Sequence, residues 1–186
     1  MSKSLDLINA YTPKCEQEER DIRLINLAEK FHGEILTRDN VLGHLTSSVF
    51  VVNKERTKLL CVYHNIYKSW SWIGGHADGD DDLLYVAEKE LKEETSLSEF
   101  KFVSNEPLTI NVLTVFGHTR KGEYVSAHLH YNVTFLVEAD ENSYTHIQED
   151  ENSGVAWLEF DAFLKACTEP HMLPVYKKCI ERCKTL

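Results

Sequence analysis

The chain has 186 residues, 42% of them hydrophobic, enough to bury a sizeable core at a length that suits one domain with an appended helical segment. Its 30 Asp and Glu outnumber 20 Lys and Arg, so the surface as a whole repels a polyphosphate backbone, and sequence-independent nucleic-acid binding is not expected. An anionic substrate would need another source of positive charge, and a bound divalent cation is the usual one.

Within the first forty residues, Ile22, Ile25 and Ala28, with Leu24, Leu27 and Phe31 beside them, recur at helical spacing. One helix is expected, from Thr12 as N-cap and Pro13 at the first helical position to His32-Gly33. Ser48–Val52 and Leu59–Tyr63 then read as two strands flanking the polar turn 53–57. Residues 65–82 hold Trp70, Trp72, Gly74, Gly75 and Gly79 among several aspartates and read as a loop, followed by helical spacing from Leu83 to Glu94. Thr109–Phe116 is a predicted strand.

Val125–Val137 is a longer one, with Ala127, Leu129, Tyr131, Val133 and Phe135 on one face and Ser126, His128, His130, Asn132 and Thr134 on the other. A short strand, Val155–Leu158, leads through Asp161 into a helix. A last helix within 170–186 carries Val175, Tyr176, Cys179, Ile180 and Cys183 on one stripe. Strands interleaved with helices indicate a layered α/β or α+β domain.

The five cysteines, at positions 15, 61, 167, 179 and 183, lack zinc-finger or CxxC spacing, and the chain has no signal-like start. No apolar run approaches the roughly 18 to 20 residues needed to cross a bilayer. A soluble, cytoplasmic protein with no membrane partner is expected.

In the helix after the glycine-rich loop, Glu90, Glu93 and Glu94 lie three and four residues apart and crowd one face. Each like-charge pair costs about 0.2 to 0.5 kcal/mol when solvated. A hard divalent cation reverses that sign, because carboxylate oxygens are what Mg²⁺ or Mn²⁺ prefers. On the helix alone, a solvated charged face with Lys89 and Lys92 as partners is the stronger reading. An EF-hand reading of Asp78-Gly79-Asp80-Asp81-Asp82 fails on spacing: with Gly79 at loop position six, Gly74 and Tyr85 occupy the positions that need carboxylates.

The register with the preceding glycines is more specific. Gly75, five residues, Asp81, seven residues, then Lys89-Glu90-Leu91-Lys92-Glu93-Glu94-Thr95-Ser96-Leu97 resembles the Nudix box, with Asp81, Lys89 and Ser96 standing where the family has Glu, Arg and Gly. The resemblance spans roughly residues 44 to 166. It implies a Nudix-type α/β/α sandwich with a mixed sheet, to which the helical N-terminal segment read over 1–40 and the C-terminal helix read over 170–186 are added in one domain. It also implies hydrolysis of a diphosphate linkage in a nucleoside diphosphate joined to another moiety. The implied cofactor is Mg²⁺ or Mn²⁺, held by Glu90, Glu93, Glu94 and the carbonyl of Gly74, with Glu93 and Glu94 counted as catalytic.

A base in the late loop is also implied; Glu149, Asp150 and Glu151 are the candidates, and Glu151 is favoured. The expected partner is a small nucleotide-type diphosphate. The N-terminal segment either completes the pocket or mediates a homodimer. Two alternatives remain: a non-catalytic nucleotide-binding protein, and an isopentenyl-diphosphate isomerase-like enzyme, for which Cys61 is the one plausible pocket thiol. His128 and His130 could contact a ligand, although a solvated strand face is the stronger expectation. His44 enters the first strand and could line the pocket, although a lone histidine is usually structural. Tyr67, Trp70 and Trp72 could stack on a base, with burial the default.

Overall fold

In the computed structural model, which describes residues 2–120, 122–147 and 152–186, two helices precede the first strand: α1, Lys3–Ala10, and α2, Glu16–His32. Ser2 caps α1 by accepting from the Leu5 amide. The expected single helix ends where its sequence indicated, with Gly33 at φ 82°, but it starts at Glu16 behind Cys15, not at Pro13. The apolar periodicity did not reveal α1, whose eight residues bury only Leu5, Ile8 and Ser4.

The sheet is built around β1, Gly43–Val52, and β9, His128–Ala139, which run parallel over ten paired positions from Gly43↔Leu129 to Val52↔Glu138. Each partners two further strands along its outer edge. The middle of β1, Thr46–Val49, pairs with β4, Ile73–His76, and its end with β2, Lys58–His64. The first half of β9 pairs with β6, Thr109–Val115, and its end with β5, Phe100–Phe102. β3, Ser69–Ser71, and β10, Asn152–Glu159, both join β2, giving a mixed eight-stranded sheet, and β7, His118–Arg120, forms a separate hairpin with β8, Glu123–Val125. Thus β3 and β4 replace part of the loop expected at 65–82, and Val125 belongs to β8 instead of the long strand.

The alternation of β1 and β9 divides the core. Leu45, Val49, Val51, Tyr131, Val133, Phe135 and Val137 share one cluster with α3, Leu83–Thr95, and with Leu5, Ile8, Ile25 and Ala28 of the N-terminal helices. Phe50, Val52 and Leu136 pack on the other side against α4, Phe160–Ala166, and α5, Leu173–Cys183. The result is an α/β/α sandwich. In α5 the expected stripe buries Tyr176, Cys179, Ile180 and Cys183, with Val175 at its margin.

Helix α2 also covers the open edge of β6. Asp21 accepts from the Val112 amide at 2.8 Å, which satisfies a donor an edge strand would otherwise leave exposed. Beside it, Glu18 is completely buried and accepts from Thr109, the Lys14 amide, Tyr11 and Arg182. Lys178 completes this ionic knot between α2, β6 and α5, standing 3.4 Å from Glu18. No described helix is long and apolar enough to cross a membrane.

Candidate active site

The two glycines entering the acidic helix form part of a strand because other groups fill the space their side chains would take. A Cβ on Gly74 would lie 2.4 Å from Ser48 Oγ and 2.5 Å from the Ser47 carbonyl, so only glycine lets β4 approach β1 this closely. A Cβ on Gly75 would lie 2.4 Å from Cδ of Glu90, so the Glu90 carboxyl occupies that space. Below them α3 is anchored at its start: Asp82 caps the Tyr85 amide and Ser47 Oγ donates to the Leu83 carbonyl at 2.6 Å.

One turn along α3 from Glu90, Glu94 is buried to 8% exposure. Its Oε1 accepts from the Gly74 amide at 2.9 Å and its Oε2 from the Asn152 side-chain amide at 2.8 Å. A carboxylate taken this far from water is costly unless hydrogen-bonded, and these donors fix its orientation. Glu90 and Glu94 therefore face the Gly74-Gly75 segment together. Glu93 does not join them: half-exposed, it lies 3.9 Å from Lys89 Nζ. Lys92 pairs with Glu88.

Asp81, in the box position where the family has Glu, is engaged elsewhere. Its carboxylate accepts from the Lys3 and Ser4 amides and from Ser4 Oγ at 2.6 to 2.8 Å, fastening the start of α1 to the helix-entry loop. Although burial opposes it, these hydrogen bonds hold the Asp81 carboxyl below the usual range. Ser96 ends α3 in the left-handed region, φ 55° and ψ 13°, the backbone for which the family's glycine is suited. Glu149, Asp150 and Glu151 lie outside the described residues; Asn152, which follows them, touches Glu94.

The polar face of β9 departs from the solvated face expected of it. Asn132 is 2% exposed and Thr134 is fully buried. Asn132 donates to Thr46 Oγ1 and Ser48 Oγ at 3.0 and 2.8 Å, and Thr134 donates to Asn132 Oδ1, a ladder joining the central strands. His44 is not alone either. The parallel register sets it opposite His130, and its ring centroid lies 5.0 to 5.1 Å from those of His76, His128 and His130. Burial, then the neighbouring His76, His44 and His128, pushes the His130 pKa down to about 2; burial also lowers that of His44. Both imidazoles are thus neutral. The sequence reading passed over His76 and Asn152; His76 directly follows Gly74-Gly75, a position that could have flagged it.

Other candidates have structural roles. Cys61 is fully buried, its thiol directed at the Ala156 carbonyl, and burial pushes its pKa up, so it is an inert core thiol unsuited to an isomerase pocket. Cys179 and Cys183 are likewise buried. Trp72 packs edge-on against Tyr176 and Trp70 edge-on against Tyr63, while the Tyr67 ring lies tilted against His64.

A sequence profile of the NUDIX domain matches residues 43–179. The chain belongs to the Nudix family. No curated protein sequence matches it. The same fold is found in a C. elegans Ap4A hydrolase, with TM-score 0.58 and 15% identity over 76% of this chain and 98% of that one. It is also found in the M. smegmatis Nudix hydrolase RenU, with TM-score 0.56 and 12% identity over 77% and 88%. The E. coli dihydroneopterin triphosphate pyrophosphohydrolase gives TM-score 0.53 and 12% identity over 74% and 92%. At these identities the likeness is one of fold. As a Nudix hydrolase the protein has chemistry of the pyrophosphohydrolase type, and Nudix hydrolases generally use divalent metals and small nucleotide-type substrates. The donor set here suits that use: the Glu90 and Glu94 carboxylates beside the Gly74-Gly75 backbone offer hard oxygen ligands.

Proposed function

We propose that this Nudix hydrolase cleaves the diphosphate linkage of a nucleoside diphosphate joined to a second moiety, and that it requires Mg²⁺ or Mn²⁺. The carrying observation is the convergence of Glu90 and Glu94 on Gly74-Gly75, with Glu94 held by the Gly74 amide and Asn152. Glu90, Glu93, Glu94 and the Gly74 carbonyl would hold the ion, Glu93 by turning from Lys89. The bound ion supplies charge neutralisation for the diphosphate and acidifies water at neutral pH.

The chain's own residues supply the positioning. The Gly74 amide and Asn152 keep Glu94 in one orientation, which matters because a misplacement of about 1 Å can cost 100-fold in rate. Glu151, in the segment leading to Asn152, is the proposed base that orients or deprotonates the attacking water. With a formal charge of −10, the protein as a whole repels a polyphosphate, so a bound metal would supply the main anion contact. The five cysteines, all unpaired, agree with a cytoplasmic protein. The N-terminal helices bury Leu5, Ile8, Ile25 and Ala28 in the core, while Leu24, Leu27 and Phe31 of α2 stand exposed, so the segment supports the fold and its outer face is left open to a homodimer.

The test is a panel of dinucleoside polyphosphates, nucleotide sugars, ADP-ribose and modified nucleoside triphosphates, assayed across a Mg²⁺ and Mn²⁺ titration. Metal-dependent release of phosphate-bearing products is expected from at least one class. No turnover of any would favour a nucleotide-binding protein, and metal-independent turnover would remove the ligand set.

A further inference from the structure

Beside the carboxylate site lies a group of side chains with a different ligand chemistry. His44 on β1, His76 on β4 and His130 on β9 each offer one ring nitrogen, and the three nitrogens lie within 4.8 Å of one another. Sheet register produces this convergence. His44 stands opposite His130 in the parallel pair, and β4 brings in His76 opposite Thr46, one alternation along β1 on the same face. His128 adjoins them, its ring 5.0 Å from His44 and 5.2 Å from His130.

Two of these rings, those of His44 and His130, have incomplete hydrogen bonding. Nε2 of His44 and Nε2 of His130 are both shielded from solvent and have no hydrogen-bond partner among the described residues. Two such orphans in one cluster are unusual in a folded protein. The other nitrogen of His44, Nδ1, faces the Asn40 carbonyl at 3.3 Å. A carbonyl can only accept, so Nδ1 carries the proton and the lone pair resides on the orphaned Nε2. This is the arrangement by which a metal-binding histidine is usually oriented. Arg38, the nearby cation, is held by Asp78 through two hydrogen bonds, which offsets its charge.

We infer that His44, His76 and His130 form a second metal site, specific for a borderline divalent transition-metal ion of the Zn²⁺ class and separate from the glutamate site. Three imidazole nitrogens suit Zn²⁺, whereas Mg²⁺ prefers oxygen. Tetrahedral Zn–N bonds of about 2.0 to 2.1 Å place nitrogens about 3.4 Å apart, so each ring nitrogen must move inward by no more than ~0.8 Å. Three protein ligands leave a fourth position for water, and the ion would tie β1, β4 and β9 together next to Gly74-Gly75.

The full-length protein, stripped by chelation and returned to excess Mg²⁺, is titrated with Zn²⁺ by calorimetry and with Co²⁺ by visible absorption. One equivalent of Zn²⁺ per chain is expected, with a Co²⁺ spectrum of low coordination number. His44→Gln and His76→Gln should weaken Zn²⁺ binding by roughly 100-fold or more, while Glu90→Gln leaves it unchanged. The inference is overturned by absence of stoichiometric binding, by unchanged affinity in His76→Gln, or by binding that depends on Glu90. Should both histidine variants unfold, Zn²⁺ must still raise the melting temperature of the wild type in excess Mg²⁺; no shift would count against the site. None of these measurements involves substrate, so they stand apart from the proposed hydrolysis.

Discussion

The side-chain amide of Asn152 donates to Glu94 Oε2 at 2.8 Å, linking the first residue of β10 to the acidic helix. Asn152 Oδ1 is itself buried without a partner among the described residues. In Glu94→Gln the new Nε2–H would meet Asn152 Nδ2–H, but turning the Asn152 amide over lets its idle Oδ1 accept instead. Folding should therefore survive, with stability within about 1 kcal/mol of wild type. If Glu94 holds the ion as proposed, a hard anionic ligand is lost, and kcat is expected to fall at least ~100-fold, about 2.7 kcal/mol of barrier, with a higher metal requirement. Glu93→Gln should behave similarly if that side chain turns to the ion. Steady-state rates across a Mg²⁺ titration, alongside a urea melt, check this; unchanged hydrolysis in Glu94→Gln would remove the residue from the ligand set.

Ser96 sits at φ 55° at the end of α3, exposed to solvent and with its amide bonded to the Lys92 carbonyl. A left-handed conformation costs an L-residue roughly 1 to 2 kcal/mol, partly returned through the greater unfolded-state entropy of glycine. Ser96→Gly is therefore expected to raise stability by about 0.5 to 1 kcal/mol, read as a higher denaturation midpoint at constant m-value. A lower midpoint would show that the serine side chain contributes something a helix end does not need.

Elements with a strong internal period were legible in the sequence: α3 from its apolar spacing, β9 from its alternation, α5 from its stripe. What covers a face was not. Alternation groups His128, His130, Asn132 and Thr134 on one side of β9 but cannot say that β1 and β4 bring hydrogen-bonding partners and two more histidines to it. That knowledge requires register between strands far apart in the chain. Likewise Gly74-Gly75 reads as a turn because glycine breaks strands, whereas here its lack of a side chain admits β1 and the Glu90 carboxyl. Asp81 was legible as a member of the box but not as the anchor for α1, because its partners Lys3 and Ser4 come from the segment whose helix went unread.

Gly74 and Gly75 should fail in different ways when given a methyl group. At Gly74 the added Cβ meets Ser47 O and Ser48 Cα at 2.5 to 2.6 Å, backbone that cannot yield without parting β4 from β1. Gly74→Ala is expected to cost about 2 to 3 kcal/mol. At Gly75 the obstacle is the end of the Glu90 side chain, which can swing away. Gly75→Ala should thus lose little stability but much of kcat, because Glu90 leaves its place. Thermal melts and kinetics on the pair distinguish these effects; equal loss of stability in both would mean that Glu90 is as rigidly held as the strand.

The buried knot at Glu18 predicts an acid limit on stability. Burial alone would raise the Glu18 pKa, but hydrogen bonds from Arg182, the Lys14 amide and Thr109, with the charge of Lys178, hold it at about 2 against an ordinary 4.5. A carboxyl whose pKa is depressed on folding contributes stability that is complete above the unfolded value and lost as pH falls through the folded one. The Glu18 contribution should therefore be intact above pH ~5 and decline between about pH 4.5 and 2, by on the order of 3 kcal/mol in all. The carboxyls of Asp81 and Asp82 are also held below their usual range and add to the acid loss, so the decisive quantity is the difference between wild type and Glu18→Gln. The variant leaves Arg182 and Lys178 facing a neutral amide and should be less stable by about 3 to 5 kcal/mol at pH 7, as for other broken buried ion pairs. Urea midpoints of both proteins between pH ~2 and ~7 should converge as the pH falls, because protonation removes from the wild type what the substitution has already removed. Parallel curves with a constant gap would show that Glu18 does not titrate in this range and that its role is one of shape alone.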